Sequence, residues 1–372
     1  MELRENVSLK NYTSFFIGGP ARYLLFAQDN NELVDGLNFA KDNNLEVLVF
    51  GGGSNMLVSD SGFNGLAIRM ETVGMDIVSQ TNAEIVLRVA SGEVWDDVVR
   101  LACEEGWWGI ENLSHIPGFC GAFPVQNVGA YGQEASDVIT QVEVYDTKDG
   151  DIKFISNKDC EFGYRSSVFN RQEKNRYVIL SMNLKLSKIP NPNFSYGDLK
   201  KEFGELPLDQ INILDIRNFV TELRDKKFPF PSSPEKGNSG SFFRGPILSE
   251  EDFKILLIKI EQDFGEPTKQ RLENMADKLK VAQGYKTPTG FLMELCDLKD
   301  LSVGGAGINP THPAVVVNFS GEATSTNVLQ LYTQVESRVL ELTGVKLEIE
   351  PELIGFSKEE LQKYGLKRYP VI

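Results

Sequence analysis

Long apolar runs are missing from the chain. No stretch approaches the ~18 apolar residues that a membrane-spanning helix requires, so no membrane partner is expected. Cysteine is scarce: Cys103, Cys120, Cys160 and Cys296 lie far apart and form no CxxC pair. That spacing argues against a zinc site or a disulfide framework and fits a reducing compartment. His115 and His312 are the two histidines, too few for a multi-histidine metal centre or an obvious histidine-based triad, and no metal is expected. Positive charge is also short. Lys and Arg number 38 against 53 Asp and Glu, a net charge of -15, and such a balance argues against nucleic acid, whose phosphates need a basic surface. The opening residues MELRENVSLKNYTSFF are charged and polar with no apolar h-region, so no secretory signal is expected and a cytoplasmic location fits.

What is present is soluble globular composition, 41% hydrophobic and 24% charged, over 372 residues, enough for two or three domains. Residues 31–44 read as a short amphipathic helix followed by the strand-like run Leu45–Phe50. The stretches 56–70 and 83–92 read as strands broken by glycine turns, and 94–106 as a helix stopped by Gly106. Residues 138–186 are strand-rich. Residues 188–199 form a proline-bearing loop, and prolines and glycines concentrate again at 225–240. Ser249 with Asp252 marks a helix start running to about Gly265, and 325–342 repeats apolar residues at helical spacing before Gly344. Within 217–244, Arg217, Arg224, Lys226, Lys227, Lys236 and Arg244 face three acids, a local basic site for an anionic small molecule or a solvated surface.

Two loops stand out. Gly51, Gly52, Gly53, Ser54, Asn55 and Met56 follow a buried strand, and glycines there expose backbone N–H groups suited to phosphate. The loop is not the dinucleotide fingerprint, because Met56 holds the third glycine position and a strand-like run follows. A pyrophosphate here would sit in a loop nest. The second loop carries Ile116, Pro117, Gly118, Gly121, Pro124, Gln126, Asn127, Gly129, Ala130, Tyr131 and Gly132, poor material for a helix or plain strand but suited to a backbone passing close to a flat ligand. The alternative is a long connector, and connectors of this length are usually functional.

Together these loops resemble the paired FAD loops of the UDP-N-acetylenolpyruvoylglucosamine reductase family, and Asn11–Ala21 resembles its opening motif. The resemblance covers nearly the whole chain. It implies an α+β fold: the vanillyl-alcohol-oxidase (PCMH) type of FAD-binding fold with two subdomains, plus a C-terminal α+β substrate domain. The implied units are 1–70 and 71–228 for FAD, 229–345 for substrate, and 346–372 returning Glu352 to the active site. Tyr196, in Ser195–Asp198, matches the substrate-covering tyrosine of the loop-bearing type I.

By the same resemblance Arg165, in Phe162–Ser166, Ser241, in Gly237–Phe243, and Glu352, in Leu347–Glu352, take the catalytic roles. Tyr164, Tyr196, Lys227, Arg244 and Lys299 are implied on the substrate side, with Arg224 near FAD. The implied reaction is reduction of the enolpyruvyl double bond of UDP-N-acetylenolpyruvoylglucosamine to UDP-N-acetylmuramate. NADPH serves as co-substrate, hydride passes through FAD N5, the proton comes from Ser241, and the enzyme is a monomer. An arginine fork matches a carboxylate and can stabilise developing charge. A serine hydroxyl is a weak acid that needs neighbours to act as a proton donor. Glu352 fits if burial beside an anionic substrate raises its pKa. Two departures are visible: Gly245 stands where the family commonly has asparagine, and Ile354 where it often has arginine. The rival readings are an FAD-dependent alcohol or sugar oxidase of the same fold and a noncatalytic nucleotide-sugar or flavin-binding protein. Read from the residues alone, Asn238–Phe243 is a turn leading into a strand, and Arg165 and Glu352 are surface ion-pair members.

Overall fold

The computed structural model describes residues 2–227 and 229–367; Phe228, in the 225–240 stretch, lies outside them. The first sheet is built from β1 (Leu3–Ser8), β2 (Pro20–Ala27), β3 (Val47–Phe50) and β5 (Phe63–Met70) in the order β1-β2-β5-β3. β2, β5 and β3 run parallel. A parallel strand is covered on both faces, which is why Leu66, Ala67 and Ile68 are consecutively buried. Helix α1 (Asn30–Asp42), capped by the Asp29 carboxylate accepting from the Glu32 N–H, lays Leu33, Gly36 and Ala40 on this sheet. β4 (Met56–Val58) leaves the sheet and pairs instead with the distant strand Glu352–Ile354, Glu352 facing Met56.

The second sheet is antiparallel throughout. It is made of β6 (Met75–Gln80), β7 (Glu84–Ala90), β10 (Ile139–Asp146), β11 (Asp151–Ser156) and β12 (Tyr177–Ser187) in the order β11-β10-β12-β7-β6. Helix α2 (Trp95–Glu104) buries Trp95, Val98, Val99 and Ala102 against it. The Trp95 ring stacks on Phe123 at 3.9 Å while its Nε1 donates to the Leu113 carbonyl at 3.0 Å, so the indole is buried without an unsatisfied donor. Between α2 and β10 the chain makes the small hairpin of β8 (Gly129–Ala130) and β9 (Gln133–Glu134). Helix α3 (Gly197–Phe203) begins inside the predicted proline loop, and helix α4 (Ile213–Lys227) packs Ile213, Ile216 and Val220 into the same core. Both helices depart from expectation, which had a loop at 188–199 and a basic stretch from 217.

A third sheet follows, in the order β13 (Gly237–Ser241), Val315–Asn318, Ala306–Ile308, Ser302–Val303. The capping box at Ser249 and Asp252 starts helix α5 (Glu250–Phe264) as expected. The long helix Ser325–Thr343 buries Val328, Leu331, Tyr332, Val335 and Val339 and ends at Gly344, whose φ is +74°. Strand β14 (Phe243–Arg244) pairs with Glu348–Ile349, bringing the C-terminal residues back alongside Ser241. Asp60 fastens this body to the first sheet. Its carboxylate accepts from the N–H groups of Ser325 (2.7 Å) and Thr326 (3.0 Å) at the helix N-terminus, where a negative charge is favoured. Among the described residues no helix is long and apolar enough to cross a membrane.

Candidate active site

The Gly51–Asn55 loop joins β3 to β4, so a strand rather than a helix follows it, and its anion-binding capacity is that of backbone N–H groups. Gly53 has φ +61°, and a Cβ there would run into the Tyr12 carbonyl. A Cβ on Gly51 would come within 2.9 Å of Phe119, and one on Gly118 within 2.6 Å of the Ser54 hydroxyl. The two loops therefore lie against each other, and the Asn55 side chain donates to Gln126 Oε1 at 3.2 Å. Asn127 secures the second loop from behind. It donates to Glu134 (2.8 Å) and to the Gly163 carbonyl (3.2 Å), and accepts from the Ser136 N–H (2.9 Å). His115, Asn127, Tyr131 and Arg165 all have positive φ, between +45° and +59°. Such non-glycine conformations gather where surrounding structure dictates the backbone.

Between the three sheets lies a cavity of about 1040 Å³, adjoined by one of about 190 Å³ that shares Leu48–Gly51, Ala122, Val125, Asn170, Lys174 and Glu352. The large cavity brings together Arg165, Ser241 and Glu352 from three distant stretches. Gly51, Gly52, Gly53, Ser54, Asn55, Met56, Ile116, Pro117, Gln126, Gly129, Ala130, Tyr131, Arg224, Tyr196, Lys227 and Arg244 also line it. Several expected residues do not reach this wall. Gly118, Gly121, Pro124, Asn127 and Gly132 shape the loops from outside it: Asn127 is turned inward, and Gly132 lies against Asn193 and Ser195. Tyr164 is exposed under Lys286, whose Nζ sits 4.1 Å from the ring centre. Lys299 is exposed just beyond the helix Thr289–Leu295, away from the cavity.

The basic stretch divides in two. Arg217 is spent on Asp96 through two hydrogen bonds of 2.8 and 2.9 Å, and Lys226 lies near Glu222 on the surface. Arg224, by contrast, is 8% exposed, donates from Nε to the His115 carbonyl at 2.8 Å and still lines the cavity. Burial lowers its pKa, as expected of a desolvated cation that an anion would stabilise. Lys227 donates to Asp198 at 3.1 Å and lies over the rings of Tyr131 and Tyr196, at 5.4 and 5.5 Å. Tyr196 packs edge-on to Tyr131, which seats the 193–196 loop over the second loop.

Ser241 and Ser239 come from β13. Register against Val315–Asn318 slips between Asn238 and Ser241, and Gly240 has φ +72°, a bulge of the kind that re-aims side chains beside active sites. Ser239 is 5% exposed, and its hydroxyl finds no hydrogen-bond partner among the described residues while lining the cavity. An unsatisfied buried hydroxyl, a desolvated Arg224 and glycines that admit no Cβ together fit a polar, planar, diphosphate-bearing ligand such as FAD.

The carboxylates differ from expectation. Glu352 is not buried: its side chain is 47% exposed and receives Lys174 Nζ at 2.8 Å. The buried one is Glu350, which the sequence reading passed over. Its side chain is 11% exposed, Arg165 Nε lies 3.3 Å from its Oε1, and burial raises its pKa, with Arg165 and Arg244 opposing the rise. The available signal was the spacing Glu350-Pro351-Glu352, since residues two apart on an extended chain share a face. The two departures also have structural reasons. A Cβ on Gly245 would collide with the Thr287 side chain, and Ile354 is 2% exposed and packs with Val58 in the core of the first body. Arg244, paired with Glu348 at 3.0 Å, keeps a positive charge on that side of the cavity.

Comparison with known proteins agrees with this geometry. Residues 21–156 match the FAD binding domain family, and residues 233–354 match the UDP-N-acetylenolpyruvoylglucosamine reductase C-terminal domain family. The chain is 34% identical to the UDP-N-acetylenolpyruvoylglucosamine reductase of Flavobacterium johnsoniae, covering 95% of this chain and 100% of that protein. It is likewise 34% identical to that of Pseudomonas aeruginosa, covering 95% and 99%. The crystal structure of the reductase from Thermus caldophilus superposes with a TM-score of 0.63 at 25% identity, covering 95% of this chain and 100% of that one. The chain is an FAD-binding oxidoreductase that belongs to the UDP-N-acetylenolpyruvoylglucosamine reductase family, whose members serve peptidoglycan synthesis.

Proposed function

We propose that the protein reduces the enolpyruvyl double bond of UDP-N-acetylenolpyruvoylglucosamine with NADPH, giving UDP-N-acetylmuramate. The observation that carries this reading is the convergence of Arg165, Ser241 and Glu352 on the cavity that the two glycine loops line. FAD, held by Arg224 and the Gly51–Asn55 loop, would supply the hydride-transfer chemistry between NADPH and the enolpyruvyl double bond, through N5. The protein's own groups do the rest. Arg224 and the N–H groups of Gly51–Asn55 hold the cofactor diphosphate. Arg165 receives the substrate carboxylate and stabilises the charge that spreads into it. The Ser241 hydroxyl gives its proton to the adjacent carbon. Glu352, with Oε1 engaged by Lys174, offers its second oxygen to a donor on the ligand. Lys227 and Arg244 attract the phosphates, and Tyr196 covers them.

The same reading keeps the units 1–70, 71–228, 229–345 and 346–372. It is supported by cores drawn mainly from one unit each, with Leu347, Phe356 and Leu361 packing into the third, while Phe15, Ile17 and Leu57 reach into that third core and Val178 and Leu180 pack with the first unit. It takes the protein as a cytoplasmic monomer. The test is product analysis under argon: one UDP-N-acetylmuramate should form for each NADPH consumed. Steady consumption of oxygen with an alcohol or sugar, and none of the enolpyruvyl nucleotide, would favour the oxidase reading instead.

A further inference from the structure

Arg165 sits at the tip of a tight turn closed by Gly163 and Ser166, whose backbones exchange hydrogen bonds of 2.9 and 3.2 Å. Its own φ is +51°, and the Asn170 amide donates to its carbonyl at 3.2 Å. The backbone is thus fixed, but an arginine side chain has several rotatable bonds, and backbone placement alone does not aim its guanidinium. Two contacts do. Nη1 makes a long hydrogen bond of 3.4 Å to the Gly129 carbonyl, and Nε faces Glu350 Oε1 at 3.3 Å.

Glu350 is itself well anchored. Its N–H donates to the Phe242 carbonyl at 2.9 Å, which sets it directly across from the residue after Ser241. Its neighbour Ile349 is paired with Phe243. Two positions on, Glu352 pairs with Lys174 of the segment that also carries Arg165. One returning segment therefore meets one loop through two ion pairs, each joining a residue proposed for the chemistry to one that is not.

We propose that Glu350 is a positioning residue for Arg165, holding the Nε side of the guanidinium so that its Nη edge is presented to the carboxylate of the ligand. The proposal rests on the reading that Arg165 receives that carboxylate. A guanidinium binds a carboxylate through two adjacent N–H groups in a fixed plane. Occupying the Nε side with a buried acceptor leaves the Nη1–Nη2 pair, held among the described residues by the long contact to Gly129, as the edge that can be exchanged for substrate. The pair is only partly buried, with the Arg165 side chain 27% exposed, so losing Glu350 leaves the guanidinium access to water and the effect should fall on geometry, where a displacement of about 1 Å can cost 10²-fold in rate.

The experiment uses flavin-loaded full-length protein and measures the two half-reactions separately in Glu350→Ala, Glu350→Gln, Arg165→Lys and the double variant that joins Glu350→Ala to Arg165→Lys. Glu350→Ala should slow reoxidation of the reduced flavin by the enolpyruvyl nucleotide about 10²-fold and leave flavin reduction by NADPH unchanged. Glu350→Gln, whose Oε1 still accepts from Nε, should recover most of that loss. In the Arg165→Lys background, Glu350→Ala should add nothing, because the group it aims is already gone. If the alanine protein does not fold, Glu350→Met, similar in volume and unable to accept, takes its place. The proposal is overturned if Glu350→Ala reacts at full rate, if Gln is no better than Ala, if both half-reactions slow alike, or if the Ala effect persists undiminished in the Arg165→Lys background. Full-rate reoxidation in Arg165→Lys alone would instead overturn the role assigned to Arg165.

Discussion

The glycine loops of the first two bodies and the short strands of the third shape the same cavity by different means. On the cofactor side the determinants are backbone: Gly53 has no room for a Cβ against Tyr12, Gly51 lies on Phe119, and Asn55 is tied to Gln126. Few side chains there are free to do chemistry. On the substrate side the determinants are side chains on or between strands of two to five residues, namely Ser241 on its bulge, Glu352 on its strand, and Glu350 in the link before it. A wall of backbone can be disrupted by adding one methyl group, whereas a wall of side chains loses function when single atoms are removed while its shape survives.

Ser241→Ala should give the largest effect. The second half-reaction should slow by roughly 10²–10⁴-fold, the usual contribution of a positioned acid, with NADPH reducing the flavin at the normal rate in stopped-flow. Equal loss in both half-reactions would blur the division drawn above. Gly53→Ala should do the converse. Forcing a Cβ into a left-handed position against the Tyr12 carbonyl should cost about 1–3 kcal/mol, read as lost flavin content and a lower denaturation midpoint. A Gly53→Ala protein that retains full FAD would show that the loop is not a close-approach surface. Asp60→Ala removes the carboxylate that accepts from the N-terminal N–H groups of the long helix and joins the first and third bodies, and should cost about 0.5–2 kcal/mol in chemical denaturation, leaving flavin affinity unchanged.

Two carboxylates, Asp146 at the end of the second sheet and Glu350 at the cavity, should also respond oppositely to pH. Hydrogen bonds from Arg176 and then Lys153 outweigh burial and hold the Asp146 carboxyl well below the usual range. Its contribution is therefore present above the ordinary carboxylate range and lost as pH falls through its lowered folded value. Glu350 is raised by burial, so its contribution is present at low pH and lost as pH rises through its raised folded value. Stability curves should then diverge in opposite senses. Relative to wild type, Asp146→Asn should be less stable at neutral pH, with the gap closing in acid, and Glu350→Gln should gain stability as pH rises. Curves for the two variants that shift in the same direction would contradict these assignments.

Local signals were legible wherever they depend on neighbours in sequence. The Ser249–Asp252 box before α5 and Gly344 after the long helix follow from capping chemistry, and both glycine loops announced themselves by composition. Helix α4 was hidden because its buried face is only Ile213, Ile216, Val220 and Arg224 amid charges, so its second half read as a basic stretch. The pairing of Met56 with Glu352 spans almost the whole chain and leaves no local trace. The same holds for the site. Arg165, Ser241 and Glu352 came from resemblance, but which carboxylate is buried depends on where Phe242 and Arg165 fall in space, and Tyr164 and Lys299 fall outside the cavity wall for the same long-range reason.

The account stands most directly on one single-turnover measurement. FAD-loaded protein, reduced anaerobically with one equivalent of NADPH, is mixed with UDP-N-acetylenolpyruvoylglucosamine while the flavin absorbance is followed. The oxidised spectrum should return rapidly, with one equivalent of UDP-N-acetylmuramate formed. A flavin that stays reduced until oxygen is admitted would contradict it.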